Sequence, residues 1–487
     1  AEVMHNLGFI VSGSDLQLSS AVKSLKKMGI KVFSKHSSSN IKGKEVIVVS
    51  GAIPKNNIEI KEAQKRNIPI IPRAEMLSEL MRFKKGIAIA GTHGKTSTTS
   101  LVSSVLSAGN LDPTYVIGGR LNAMKANAKL GMGDLFIVEA DESDASFLHL
   151  NPINTVVTNI DHDHLETYEG DFERLKNTFI DFIHQTPFYG TVFMCVDDEH
   201  VKSIIPRISR QIITYGLSKN ALIQAKKLKH QENKMTFWVE DKFFKMKPFE
   251  VEINLPGEHY VRNALAAIAI GLEYGLSIPE IKRGLKDFSG VGRRYEIFTT
   301  CYHHKKNFVL VDDYGHHPTE IKAVIDATRK GYPNKSINLV FQPHRFSRTR
   351  DCFEDFVLAL RLPDKVFIMD IYPAGEKPIQ NISSKVMIEK IANNKTFYLP
   401  DLKNAKGDVS GTVLVNGAHS AGDTTIDVDG MTGTLKAGDF VKFGGDSKVY
   451  MVVSDATADG SNEATLTIEP PLRSALSDNA SVTYDGV

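Results

Sequence analysis

Short apolar strands alternate with amphipathic helical stretches through residues 1–402, which predicts an α/β fold; a small all-β module is predicted after it. Two further observations support this division. Polar, chemistry-bearing residues recur just past the carboxyl ends of the predicted strands, where open α/β sheets bind their ligands. After Leu402 the helix/strand alternation stops and the composition changes.

At 487 residues the chain is too long for one core, and ~3–4 domains is the natural expectation. Hydrophobic residues make up 42% and charged residues 24%, enough apolar surface for packed cores. A net charge of only +2 argues against a dedicated nucleic-acid binder. Three widely spaced cysteines (Cys195, Cys301, Cys352) suggest a reducing compartment without a disulfide framework. No apolar run reaches the ~18 residues of a membrane span, and the start shows no signal-peptide pattern. A cytoplasmic protein with no membrane partner is therefore expected. Residues 403–487 hold 12 acidic and 6 basic side chains, a net of −6 that leaves +8 on residues 1–402. The same tail holds 11 of the 36 glycines, which marks a boundary.

Residues 1–82 read as βαβ units. Apolar strands are expected at Gly8–Ser12 and Glu45–Ser50, with helices at Ala1–Leu7, Ser19–Met28 and Asn57–Arg66. Asp15, just past a strand end, is either a partner for a ribose or sugar hydroxyl or a helix cap.

The segment 83–290 is organised around Gly86–Ser100, GIAIAGTHGKTSTTS. A buried strand, Ile87–Ala90, breaks at Gly91 and leads through Gly94-Lys95-Thr96 into a helix that runs to Ala108. A strand, a glycine turn with a lysine and a helix N-terminus form a phosphate cradle. Backbone N–H groups point at the anion, Lys95 adds charge, and the Thr96 hydroxyl suits Mg²⁺. The full P-loop pattern wants a glycine where Ile89 stands, and the bland alternative is a glycine-bearing strand–helix turn. Two more strands repeat the arrangement. Leu135–Val138 runs into Glu139, Asp141, Glu142 and Asp144; Thr155–Asn159 runs into Asp161, His162, Asp163 and His164. Alone, each cluster is a solvated loop or a surface turn. Together they predict one phosphate–metal site, with Mg²⁺ favoured over zinc because carboxylates are plentiful and no cysteine is at hand. Gly257–Gly271 reads as an alanine-rich helix whose first turn carries His259, Arg262 and Asn263, and Gly290–Arg294 as a basic linker.

From 291 to 402 the strand-end habit returns. Phe308–Val311 leads to Asp312–Pro318, Asn338–Phe341 to Gln342–Arg350, and Val366–Asp370 to Ile371–Lys377. Arg345 and Arg348, three apart, share a face of a helical turn and suit a bidentate clamp on a carboxylate; a solvated basic helix end is the plain alternative. In the tail, Thr424–Val428, Phe440–Phe443, Tyr450–Val453, Ala464–Ile468 and Ser481–Tyr484 read as strands of a small sandwich or barrel.

The stretches GTHGKTS, EADESDASFLHL, TNIDHDHLETY, LPGEHYVRNALAA, GVGRRYE, DDYGHHPTE, FQPHRFSRTRD and DIYPAGE, in this order, resemble the Mur ligases, and within them the branch that adds L-alanine. The resemblance implies a Rossmann-like UDP-sugar domain (1–82), a P-loop-type central ATPase domain (83–290) and a Rossmann-like amino-acid domain (291–402). The β module (403–487) falls outside it. The implied reaction uses ATP and Mg²⁺ to couple L-alanine to UDP-N-acetylmuramate through an acyl phosphate, in cell-wall peptidoglycan synthesis. Gly91, Thr92, His93, Gly94, Lys95, Thr96, Ser97, Asn263 and Arg294 are then implied at the nucleotide. Thr96, Glu139 and His164 are implied at the metal, Glu139 and His164 also at the acyl phosphate. Asp15 is implied at the UDP-sugar, and His316, Arg345 and Arg348 at the alanine carboxylate. The resemblance allows a homodimer. It departs at both ends: the family's GxGGxGM-type loop lies before residue 1, and its GD-x-V-LTMGAG-like segment is replaced after Leu402. A ligase trimmed at both ends and joined to a foreign β module is thus expected. The tail resembles a phage virion module, suited to binding or assembly with other proteins. Alternatives are a murein-tripeptide recycling ligase, and an inactive or nucleotide-binding-only chain whose β tail does the work.

Overall fold

The computed structural model describes residues 1–484 except 18, 52, 122–125, 304–305, 392–394, 400–406, 447 and 470. The chain divides into two units, Ala1–Ile337 and Asn338–Val487. The boundary expected at 402/403 lies outside the described residues.

The first unit is built on a ten-stranded sheet. Lys85–Ala90 is an interior strand of it, flanked by Leu135–Glu139 and Asn154–Val157. Seven neighbouring strands run parallel, from Ile223–Gln231 through Gln211–Gly216, Thr191–Cys195 and these three to Thr114–Leu121. Lys234–Asp241 and Phe249–Ile253 extend one edge antiparallel, and Ala126–Lys129 the other. Parallel strands covered on both faces read as continuous apolar runs, and Gly86–Ala90 is buried throughout. Ile87 and Ile89 enter the core formed with the helices Lys95–Ala108, Glu258–Glu273 and Ile278–Lys286. Ala88 and Ala90 face the opposite core, with Phe172–His184 and Glu199–Ile204. The small residues of the 258–273 helix let it lie close to Lys95–Ala108: a Cβ on Gly271 would come within 3.0 Å of Val105.

Before this sheet, Ser12–Ser14 pairs parallel with Lys31–Phe33, and Ile47–Val49 with Ile70–Pro72. Helices at Glu2–Asn6, Ser20–Lys27 and Ile58–Lys65 match the expected ones. The strand expected at Gly8–Ser12 instead begins at Ser12. Gly8 takes φ +91° and its N–H bonds back to His5, so the chain is still leaving a helix, and Ile10 is 94% exposed. An apolar run is not a strand until something covers it.

The first unit ends with an antiparallel pair, Glu296–His303 with Lys306–Asp312, and the helix Pro318–Gly331. The second opens with three parallel strands, Asn338–Phe341, Lys365–Ile368 and Thr396–Tyr398. It continues as a six-stranded antiparallel sheet in the order Leu414–Val415, Thr425–Asp429, Ala464–Glu469, Val449–Val452, Phe440–Phe443, Val482–Thr483. A bridge between Leu414 and Ser481 joins its two edges, so the sheet closes as a barrel. Its core holds Val415, Ile426, Val428, Phe443, Tyr450 and Leu466. The tail's five expected strands are present; the two-residue strands Leu414–Val415, Thr434–Leu435 and Ala456–Thr457 carry too short a pattern to read. No described helix is long and apolar enough to cross a membrane.

Candidate active site

Because Lys85–Ala90, Leu135–Glu139 and Asn154–Val157 are adjacent and parallel, their carboxyl ends deliver the glycine turn, the acidic cluster and the His/Asp cluster side by side. The turn needs its glycines. Gly91 (φ +135°) carries hydrogen where a Cβ would lie 2.0 Å from Thr158 Oγ1. Gly94 (φ +81°) packs where a Cβ would lie 3.0 Å from Asn263 Oδ1. Asn263, in the first turn of the 258–273 helix, therefore lies directly against the loop and is buried. Thr96 and Ser97 open the Lys95–Ala108 helix, and both are buried.

Lys95 Nζ curls back over the turn. It donates to Gly91 O (2.6 Å), Thr92 O (3.1 Å) and both oxygens of Glu142 (2.8 and 3.0 Å). Burial alone would lower the ammonium's pKa, but the facing carboxylate outweighs it and holds the value above the ordinary one. Glu142 is 1% exposed, and its carbonyl accepts from the Tyr168 hydroxyl. It stands in the acidic cluster but was not among the expected site residues; the same-sign run around it hid which carboxylate faces the lysine.

Glu139 Oε1 accepts from the Gly118 N–H (2.9 Å), and Thr96 Oγ1 donates to its other oxygen (3.3 Å). Burial raises the Glu139 pKa, partly offset by those bonds and by Lys95 and Arg294. A hydroxyl beside a carboxylate, with Asp141 two residues on, is a hard-oxygen donor set that fits Mg²⁺. His164 takes a left-handed backbone (φ +55°), and its Nε2 lies 3.5 Å from Asp163. Arg294 stacks on Tyr314 (5.6 Å) and lies 4.0 Å from Glu320.

A second constellation surrounds His93. Its backbone is pinned by Asn159 Oδ1 accepting its N–H (2.7 Å), and its carbonyl accepts from Thr158 Oγ1 (2.7 Å) and Asn159 Nδ2 (2.8 Å). Thr92 Oγ1 accepts from the Asp161 N–H (2.9 Å). The His93 ring bridges two carboxylates, Nε2 to Asp161 (3.0 Å) and Nδ1 to Glu320 (3.2 Å). Burial works against its charge, yet the two acceptors raise its pKa to about 9. Asp161 and Glu320 are correspondingly held well below the usual carboxylate range despite their burial. Buried His317 lies against the His93 ring, centroids 4.7 Å apart and planes tilted by 40°. Burial and the His93 charge push its pKa down.

Among the described residues, His93, Asp161 and His317 form the one group of three such donors within 4.8 Å of one another. Each His93 ring nitrogen there lies within hydrogen-bond distance of a carboxylate. Glu320 and His317 were missed in the sequence; the H-P-T-E spacing of a capping box was the available signal, and the structure forms that box at the Pro318–Gly331 helix.

His316, half-buried, sits beside this box, its Nδ1 2.9 Å from Tyr314 O and its N–H donating to Glu320 (2.9 Å). In the second unit, Arg345 holds a left-handed backbone (φ +72°) and its N–H donates to Tyr372 O (2.8 Å). Strain at a non-glycine residue is tolerated where neighbours over-determine it, and such sites cluster at function. Buried Arg348 reaches His344 Nδ1 at 3.4 Å. Glu376 accepts from Ser347 N–H (2.9 Å) and Oγ (2.6 Å), which fixes the short helix carrying Arg348 and explains the glutamate of DIYPAGE. Asp15 is exposed and accepts the Gln17 N–H (2.8 Å), while Ser19 caps the following helix, so the cap role considered for Asp15 falls to Ser19.

Three family models cover the ligase part: "Mur ligase family, catalytic domain" over residues 1–108, "Mur ligase middle domain" over 89–271 and "Mur ligase, glutamate ligase domain" over 293–417. A fourth, "Distal tail protein pb9, B domain", covers 403–487. The UDP-N-acetylmuramate–L-alanine ligase of Hydrogenovibrio crunogenus is 52% identical over 389 residues, 80% of this chain and 84% of that protein. The enzyme of the same name from Neisseria gonorrhoeae is 50% identical over 394 residues, with the same shares. The crystal structure of the UDP-N-acetylmuramate–alanine ligase of Thermotoga maritima is similar at TM-score 0.69 and 26% identity, covering 82% of this chain and 87% of that one. A MurF ligase of Thermotoga maritima, solved in complex with ADP, shares the fold at TM-score 0.56 and 18% identity, over 76% of this chain and 88% of that one.

Proposed function

The chain belongs to the Mur ligase family, in the branch of the UDP-N-acetylmuramate–L-alanine ligases, and on that premise we propose that it joins L-alanine to the carboxylate of UDP-N-acetylmuramate at the expense of ATP. One observation carries the reading: Lys95 Nζ is seated over the glycine turn, bonded to Gly91 O, Thr92 O and Glu142. A nucleotide's phosphates entering that turn meet free N–H groups at the start of the 95–108 helix, and Lys95 exchanges Glu142 for them.

Phosphoryl transfer needs positioning and charge neutralisation more than covalent help from the protein. Lys95 and the loop hold the β- and γ-phosphates, Asn263 lies on the adenine side, and Arg294 adds charge near Glu139. The muramoyl carboxylate attacks the γ-phosphorus and ADP leaves; the alanine amine then attacks the carbonyl carbon of the resulting acyl phosphate, and inorganic phosphate leaves. Thr96, Glu139 and His164 would hold Mg²⁺, which when bound neutralises charge on the phosphates. Arg345 and Arg348 would clamp the alanine carboxylate, His316 would serve the same substrate, and Asp15 would meet the UDP-sugar.

We assign 1–82 to the UDP-sugar, 83–290 to ATP, 291–402 to the amino acid, and 403–487 to contacts with other proteins. The cytoplasm is the setting that peptidoglycan precursors require. The test is phosphate release with ATP, Mg²⁺, UDP-N-acetylmuramate and L-alanine. Release that depends on all three substrates is expected. Release with the tripeptide but not with alanine would indicate a recycling ligase, and nucleotide binding without release would indicate a chain that no longer turns over.

A further inference from the structure

Glu320 has two jobs at once. One oxygen accepts the His316 N–H (2.9 Å) and the His317 N–H (3.2 Å), which closes the turn at the start of the 318–331 helix. Its other oxygen accepts from His93 Nδ1 (3.2 Å). His93 is fixed in turn by Asn159, Thr158 and Asp161, all at the end of the 154–157 strand. Thr319 Oγ1 donates to the same Asp161 oxygen (2.8 Å), a second strut between the helix start and the strand end. Side-chain exposure is 13% at His93 and 14% at Glu320, so little water competes for this charge pair.

We propose that His93 and Glu320 form a latch that locks the phosphate loop to the His316–His317 turn, so that the two sides of the site hold one mutual position during the reaction. Both are positioning residues: they act through the loop and the turn. The proposal rests on reading the loop as the ATP site and the turn as part of the acceptor side. Its consequence is reciprocal. Releasing His93 frees the turn, and releasing Glu320 from His93 frees the loop. Charge-assisted bonds in a water-poor site are the strong ones, so one broken latch is expected to cost about tenfold or more in coupled behaviour.

Glu320→Gln separates the two jobs. An amide oxygen still accepts the His316 and His317 amides, but an NH₂ now faces His93. His93→Gln removes the cation and leaves Glu320 in place. In the full chain, hydrogen exchange followed by mass spectrometry is expected to show faster exchange of the His93 and Asp161 amides in Glu320→Gln. The His316 and His317 amides should speed up in His93→Gln. In turnover, each variant is expected to lower kcat about tenfold or more, Glu320→Gln with an ADP dissociation constant within about threefold of wild type, and the double variant should be no slower than the worse single one.

Exchange confined to each variant's own segment, or kinetic effects that multiply in the double variant, would overturn the latch. If His93→Gln fails to fold, the His93 and Asp161 amides of Glu320→Gln decide alone. If the wild-type chain releases no phosphate, the proposed reaction fails, and reciprocal exchange still decides the latch.

Discussion

The central sheet and the C-terminal barrel are both sheets, yet they dispose of their polar residues in opposite ways. In the central sheet seven neighbouring strands run parallel, so their carboxyl ends lie along one edge and three different loops meet there. In the barrel neighbouring strands reverse, so consecutive turns alternate between its two ends. The first arrangement gathers Lys95, Glu142, Glu139, Asp161 and His93; the second keeps polar groups paired for structure. The barrel's Asp446 accepts from the Tyr450 hydroxyl (2.6 Å) and the Lys448 N–H (2.9 Å), and the Tyr450 oxygen accepts from the Arg473 N–H (3.0 Å). Direction, more than composition, decides which sheet can build a site.

If that contrast holds, damage to each region should stay in it. The largest expected effect is Phe443→Ala in the barrel core, where a fully buried ring is removed. It should lower stability by about 3–5 kcal/mol in the melting transition of the barrel and leave ADP affinity, measured by calorimetry, unchanged. A loss of nucleotide affinity would break the separation. Next is Lys95→Ala, which removes the charged contact to the phosphates. It should weaken nucleotide binding by about 1.5–3 kcal/mol and leave the barrel transition in place.

The third effect is the sharpest. The folded-state pKa of His93 is raised to about 9, so the stability it contributes is complete below its unfolded value near 6.5 and is lost as pH rises through about 9. Asp161 and Glu320 are depressed, so their contribution is present above the ordinary carboxylate pKa and is lost only as pH falls through their lower folded values. Between pH 6.5 and 9.5 the wild type should therefore lose at most about 3 kcal/mol that His93→Gln does not lose. Thermal melting over that interval checks it, and equal slopes in the two proteins would remove the charge pair from the account.

The sequence by itself determined the local elements and the chemistry each strand end carries. Gly86–Ala90 is legible as a buried strand because every position is apolar, and Gly91 and Gly94 mark the turn because their backbones and near neighbours exclude a Cβ. The order of eight motifs was enough to point to the family. Only the tertiary structure decided which partner each charged group takes. Nothing in EADES says that Glu142 rather than Glu139 faces Lys95, since both carboxylates lie in one run and their directions follow from packing against Thr96 and Tyr168. His93 and Glu320 are 227 residues apart, and no local pattern relates them. Their pairing exists because the sheet brings the Asp161 loop beside the glycine turn and the 318–331 helix starts over both. Local backbone preference reaches a few residues along the chain. An ion pair across the fold depends on burial and distance, which only the packed chain sets.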